Sequence, residues 1–520
     1  MVFCSLRVLR LVPAFAVLVA AQVVYGAAPR ARNVSLAKLP PSARSLFEVA
    51  MKSMDEAWDP EAKLLRYPEG FSGHSGTHAQ YMVRETGNYA LGLLMRDAGG
   101  DRARAEDALT SVLKEQFLNA SKPWYGTFRR SPEEPDPAGA NTVMWTNYDP
   151  NWRVFIGTTF ELILIEYPER ISSELALKMY KAIGIAIAGE MKQGRLTPHY
   201  SNIALMYGAL WDFAANHDNN AEWKKQSSAW MREVARLYHL YNSFEEYNSP
   251  TYYGVDLFGL ALWRSYGSTA EIRAAGSNIE AHLWSDIADF YQPELRNLAG
   301  PYDRSYGMDM ETYVAYAGVW MRSLLPAEKA PLPVPDSNTD HLADLWFAPH
   351  VVLLGAKPPG PALAKLKTFS GDHMVRRQIT DDRRATAWVG RKVILGGEDT
   401  KLTKDAPPDT QFHPATAQWR TPSGSIGWFY VWQAPKIDAV VEHTTMQIAT
   451  DGTITIRLKA EGVKKEDITA TRWKLPGLSV AVEGDEKGFG VKESTYYRAG
   501  DSLELTYSNL HRMRLTVTPQ

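Results

Sequence analysis

The chain reads as a multidomain protein, helical first and β second: an (α/α)6-type toroid of helical hairpins followed by an antiparallel β-sandwich. Three observations predict this. From about residue 40 to about residue 325, apolar residues recur at three- and four-residue spacing, the period of helices with one buried face. Beyond about Lys365 the texture changes to short alternating runs, the period of strands. Within the helical region, five polar clusters each stand directly before an apolar helical run, and the starts of the last four lie roughly 50 to 55 residues apart, the length of two helices and two turns. If such hairpins close into a ring, all the clusters come to one rim.

A chain of 520 residues exceeds one hydrophobic core and predicts two or three domains. Residues 1–27 carry Arg7 and Arg10 ahead of an apolar stretch that ends in small residues near Gly26 and Ala27. That pattern predicts a secretory signal peptide, with a retained signal anchor as the alternative. The only cysteine, Cys4, lies in this segment, so the mature chain would have neither disulfides nor thiolate chemistry. Asn33 and Asn119 match the glycosylation sequon. A formal charge of -2 gives no basic face for nucleic acid or an anionic membrane, so an acidic substrate must be met by locally placed Arg, Lys or amides.

Helical patterns run from SLFEVAMKSMDEAW to ETYVAYAGVWMRSLL, ten or so in number, and residues 40–355 are assigned to the toroid. Runs such as GIAIAGEM are apolar on most faces, whereas EWKKQSSAWMREVARLYHLY keeps a charged face, as inner and outer helices of a ring would. Proline density rises from Pro326 to Asp340, marking a linker before one more apolar segment, ADLWFAPHVVLLG. Residues 365–520 form the β domain, with a hairpin turn expected at Asp451 and Gly452.

The densest cluster runs from Glu246 through Asn248, Tyr252 and Tyr253 to Asp256. Helix capping by Ser249 or Asn248 explains part of it, but capping needs one side chain. Next come Asp303, Arg304, Tyr306 and Asp309, in which Asp and Arg could pin a turn as an ion pair, and in which Arg304 suits a uronate carboxylate because its planar fork matches one. Further candidates are Asp149, Asn151, Trp152 and Arg153, then His199 and Asn202, and Asn88. Trp152 and Trp124 are possible stacking platforms for a sugar ring, or plain core. His74 and His78, in HSGTH, sit among Ser and Gly and read as loop rather than metal site, and no metal or other cofactor is expected. Nucleophile-elbow, phosphate-loop and dinucleotide fingerprints are missing from any usable context.

A rim of aromatics, amides and carboxylates fits a polysaccharide or oligosaccharide, and two chemistries stay open. Elimination would use Tyr252, Tyr306, Asn202, Asn248, Arg304 and His199 to neutralise a uronate carboxylate and move the proton beside it. Hydrolysis would use two carboxyls from Glu246, Asp149, Asp303 and Asp309, about 5 Å apart for retention or about 6.5 to 9.5 Å for inversion. A non-catalytic carbohydrate-binding protein is the reading of a different class.

NWRVFIGTTFELILIEYPE, HYSNIALM and FEEYNSPTYYG, in that order, resemble the Asn-Trp-Trp, Asn-Arg and Tyr-x-Gly segments of the polysaccharide lyases with an (α/α) toroid and β-sheet domains, the group of the hyaluronate and chondroitin lyases. That resemblance implies Asn202 as the carboxylate-neutralising amide, Tyr252 or Tyr253 as base and acid, and Arg304 as a substrate-holding arginine. The chain departs from the pattern in having no His ahead of Tyr252, where Glu246, Tyr247 and Asn248 stand, and no second Arg close after Arg304. EYNSPTYYGVD and GPYDRSYGMDM are more closely similar to segments of a group of uncharacterised secreted fungal and bacterial proteins of the same build. The expectation is a secreted, monomeric carbohydrate-active enzyme without nucleic-acid partners, and without membrane contact once the signal is removed.

Overall fold

The computed structural model describes residues 31–67, 79–138, 141–336, 339–406, 411–494 and 502–520. The signal segment with Cys4, and the pair His74 and His78, lie outside the described residues. The helices are α1 (Pro41–Ala57), α2 (Val83–Arg96), α3 (Asp101–Lys114), α4 (Trp152–Glu166), α5 (Ser173–Gln193), α6 (Ser201–His217), α7 (Ala221–Tyr241), α8 (Tyr252–Tyr266), α9 (Ala270–Phe290), α10 (Tyr316–Leu324), α11 (Ala348–Leu354) and α12 (Gly360–Lys367).

Burial alternates along this series as a toroid requires. Helices α2, α4, α6, α8 and α10 are buried at nearly every position, whereas α3, α5 and α7 bury one stripe. Each inner helix packs on the next, α2 to α4 to α6 to α8 to α10, and α11, buried throughout, packs against both α10 and α2 and so closes the ring. Outer helices α3, α5, α7 and α9 pack on the inner helix that precedes each of them. Small residues let the inner helices meet closely: a Cβ on Gly254 would fall 2.3 Å from the Tyr316 carbonyl carbon and 2.4 Å from the Ala317 nitrogen.

Short strands decorate the helical part: β1 (Trp58–Asp59), β2 (Leu64–Arg66) and β3 (Tyr81–Met82) form one antiparallel sheet, and β4 (Tyr291–Gln292) pairs with β5 (Asn297–Leu298). The rest are β6 (Tyr302–Asp303), β7 (His373–Thr380), β8 (Arg383–Val389), β9 (Val393–Asp399), β10 (Phe412–His413), β11 (Ala415–Arg420), β12 (Ile426–Gln433), β13 (Ile437–Glu442), β14 (Thr445–Lys459), β15 (Arg472–Leu475), β16 (Leu478–Gly484), β17 (Gly488–Glu493) and β18 (Ser502–Pro519). One antiparallel sheet runs β15-β16-β18-β14-β12-β11-β9-β8-β7, with β13 paired to β14 and β17 to β18. It folds over itself into a sandwich: Val441 N on β13 donates to Thr386 Oγ1 on β8 at 2.8 Å. Trp419, Phe429, Ile456, Trp473 and Leu505 lie in its core.

The expected hairpin turn at Asp451 and Gly452 is instead a bulge inside β14. The register against β18 shifts on either side of Gly452, whose φ of 141° is open to glycine. The two halves of the molecule are joined by strand pairing, because β6, from the helical part, pairs antiparallel with β10 through Asp303 with Phe412 and Tyr302 with His413. Val375, Ile379, Ala385 and Ala387 of β7 and β8 belong to the same apolar core as the helices. Among the described residues no helix is long and apolar enough to cross a membrane.

Candidate active site

The starts of the inner helices meet at one rim. Arg84 of α2 lies over the rings of Trp152 and Phe155 of α4, at 5.3 and 5.2 Å. Asn151 Nδ2 donates to the Tyr200 hydroxyl at 3.3 Å, joining the start of α4 to that of α6. Ser201 Oγ, at the start of α6, donates to Glu246 Oε2 at 3.0 Å, and Asn202 Nδ2 donates to the same oxygen. The chain then enters α8 through Ser249, whose Oγ accepts from Tyr252 N at 2.9 Å and donates to the carbonyl of Arg304. Asn248, in a left-handed conformation (φ 50°), donates its amide to the carbonyls of Ala299 and Pro301 at 2.7 and 2.9 Å. The loop bearing Arg304 is thereby fixed against the start of α8.

At the centre lies one hydrogen-bonded group. The Arg304 guanidinium donates to Glu246 Oε1 through Nη1, to the Tyr252 hydroxyl through Nη2 at 2.6 Å, and to Gln411 Oε1 through Nε at 3.2 Å. Its plane covers the Tyr252 ring at 4.0 Å. The Tyr252 and Tyr306 hydroxyls hydrogen-bond to each other. The Tyr306 ring stacks on His341 at 4.7 Å with a 4° interplanar angle, and His341 Nδ1 lies 3.4 Å from Asp344 Oδ2.

Burial pushes the Tyr252 phenol well above its ordinary range, and the neighbouring Tyr306 adds to this while Arg304 opposes it. Burial likewise raises Tyr306, opposed by its bond to Tyr252 and by Arg304. Burial disfavours the Arg304 charge, but Tyr252 and Glu246 outweigh that and hold the guanidinium protonated. For His341 burial lowers the pKa, and the contact with Asp344 more than reverses it. Among the described residues no group of three or more His, Cys, Asp or Glu is placed to hold a metal ion.

Residues 44–356 match the family described as Domain of unknown function (DUF8769), which is more than half of the chain. The chain belongs to the DUF8769 family. Residues 367–509 match a second description, Domain of unknown function (DUF8770). No curated protein matches the chain in sequence. Among solved structures, heparinase III is similar over 95% of this chain and 87% of its own, with 9% identity and a TM-score of 0.44. Heparan sulfate lyase HepC from Pedobacter heparinus is similar over 94% and 84%, at 10% and 0.32. Endoglucanase CelQ from Clostridium thermocellum is similar over 84% and 70%, at 10% and 0.26. No residue of the DUF8769 chain takes a role from these likenesses.

Of the sequence-predicted residues, the DUF8769 chain brings Asn202, Glu246, Tyr252, Arg304 and Tyr306 into direct contact. Asn151 joins the rim through Tyr200 and through Arg195 Nη2 at 2.6 Å. Asp149 accepts from Asn151 N at 2.8 Å, and burial raises its pKa. His199 lies outside this group, exposed and 3.0 Å from Glu245 Oε1. Asn88 is buried within α2.

The others face elsewhere. Arg153, expected to face the substrate, is fully buried and donates to Glu190 Oε2 at 3.0 Å, Gln193 Oε1 at 2.6 Å and the Pro123 and Tyr125 carbonyls, because a buried guanidinium needs acceptors on every side. Asn248 holds the Arg304 loop rather than projecting from it. Asp303 pairs with Arg383 and Lys404 at the junction with the β domain. Asp309 accepts from Asn297 Nδ2 at 3.1 Å, and its carboxyl is pushed up to about 6 by burial. Trp152 and Trp124 are core residues, 5% and 7% exposed, so neither offers a ring face to solvent. Residues missed in the sequence are Arg84, His341 and Gln411. His341 ends the proline-rich linker, which returns to the rim where Val314 N donates to the Asp340 carbonyl at 3.0 Å.

Proposed function

We propose that this chain is a carbohydrate-active enzyme that cleaves a uronic-acid-containing polysaccharide by elimination at the Tyr252 centre. The observation that carries the reading is the placement of the Tyr252 oxygen, which meets both the Arg304 guanidinium and the Tyr306 hydroxyl. Of these two neighbours it is Arg304 that favours the phenolate, the form that can take a proton, against burial and Tyr306, which favour the phenol. That phenolate removes the proton from the carbon beside the uronate carboxylate. The released electron pair forms the carbon–carbon double bond, the glycosidic bond to the neighbouring carbon breaks, and the leaving oxygen receives the proton from the same phenol. Asn202 and Arg304 are the groups to neutralise the carboxylate as charge builds on it. Both donate to Glu246, so a substrate carboxylate would compete with that side chain for them.

The raised pKa of Asp149 favours a second reading. Glu246 as base and Asp149, raised by burial, as acid would make a hydrolytic pair in the same cleft.

A panel of uronate polymers separates the two by product. Elimination yields the ultraviolet absorbance of an unsaturated uronate, hydrolysis yields reducing ends without it, and polymer retention with neither supports binding alone. The pH profile separates them too. Because burial holds Tyr252 protonated, eliminative kcat/KM rises as pH increases toward the phenol, whereas a raised Asp149 acting as acid loses rate over the same direction.

A further inference from the structure

Beyond the reacting centre, the loop ahead of α4 carries a second feature. Trp145 is 48% exposed, and its backbone is left-handed with φ 71°. A bulky residue adopts that conformation only where its surroundings impose it. Here they do: Trp145 N donates to the Tyr148 carbonyl at 2.8 Å, and the Arg130 guanidinium donates to the carbonyls of Trp145 and Thr146 at 3.2 and 2.9 Å. Arg130 is itself buried and paired with the buried Glu134. A buried ion pair thus fixes the backbone that carries the exposed indole.

The indole is tied to the rim. Arg195 lies over its ring at 5.6 Å and donates to Asn151, which donates to Tyr200, whose phenol acts electrostatically on Arg304. Three side chains, Arg195, Asn151 and Tyr200, thus lie between Trp145 and Arg304 along this chain of contacts. An indole backed by a guanidinium presents a polarised face suited to the C–H face of a pyranose.

We propose that Trp145 and Arg195 form an outlying subsite that stacks a further sugar ring of the same polysaccharide chain. This rests on the polysaccharide reading above. The subsite accounts for length preference: short fragments bridge only the centre, and longer ones reach the indole.

The test is calorimetric binding of oligogalacturonate, hyaluronate and heparan sulfate fragments of two to eight sugar units, with neutral cello-oligosaccharides of equal length alongside. Trp145→Ala and Trp145→Leu, which remove the ring face, should weaken fragments of six units or more by about tenfold and leave disaccharide binding unchanged; Trp145→Phe should stay within about threefold of the parent. Undiminished binding of long fragments by the Ala and Leu variants overturns the subsite, as does an equal loss at every length. Binding of cello-oligosaccharides that depends on Trp145, with no binding of uronate fragments, supports the subsite and sinks the uronate reading. Failure of the parent protein to bind any fragment overturns both.

Discussion

At the scale of single residues, the proposed elimination turns on the oxygen of Tyr252. Tyr252→Phe removes the proposed proton carrier while keeping the ring under Arg304, and elimination should fall by about 10²-fold or more in kcat, measured by absorbance of the unsaturated product. Glu246→Gln should spare elimination and abolish hydrolysis, so the pair of variants decides between the two chemistries. Unchanged activity in both would displace the site from this rim. Asn202, Glu246, Tyr252, Arg304 and Tyr306 were legible in sequence because each belongs to a dense polar cluster, at the start of an inner helix for Asn202 and Tyr252 and in the loop leading to one for the others. Arg153 shares that position yet turns inward to Glu190, since the residue after the first turn-residue of a helix can face either side and the letters do not say which. His341, stacked on Tyr306, and Arg84, which acts on it electrostatically, were not legible as its partners, because one follows a linker and the other lies in the first turn of a helix far earlier in the chain.

At the scale of elements, the inner helices were readable from their unbroken apolar runs, and the ring they make depends on close approach. Gly254→Ala would place a methyl within van der Waals overlap of the Tyr316 and Ala317 backbone, separating α8 from α10 next to Tyr252. A loss of about 2 kcal/mol in denaturant unfolding is expected, together with loss of turnover. Asp-Gly between two alternating runs signals a hairpin as readily as a glycine bulge, and only the pairing of β18 across both sides of Gly452 distinguishes them.

At the scale of the whole molecule, charge clusters clamp the β domain to the toroid. Arg383 bridges Asp303 of β6 and Glu398 of β9, both buried, so Arg383→Met leaves two carboxylates without that partner. Unfolding free energy should drop by about 3 kcal/mol, and the denaturation midpoint measures it. Asp309 titrates with the opposite sense from a salt-bridged carboxylate. Its pKa is raised in the folded protein from 3.8 to about 6, so its contribution to stability is complete below about pH 4 and is lost as pH rises through about 6. Asp309→Asn should therefore shrink the difference in Tm between about pH 4 and about pH 7, and an unchanged difference would contradict that assignment. Finally, the pairing of β6 with β10 sets Gln411, immediately before β10, against the guanidinium that grips Tyr252. The Arg304 group of the first half is thus held partly from the second, and descendants of this protein that traded one β module for another would keep that geometry only if they inherited a compatible glutamine, arginine and lysine along with it.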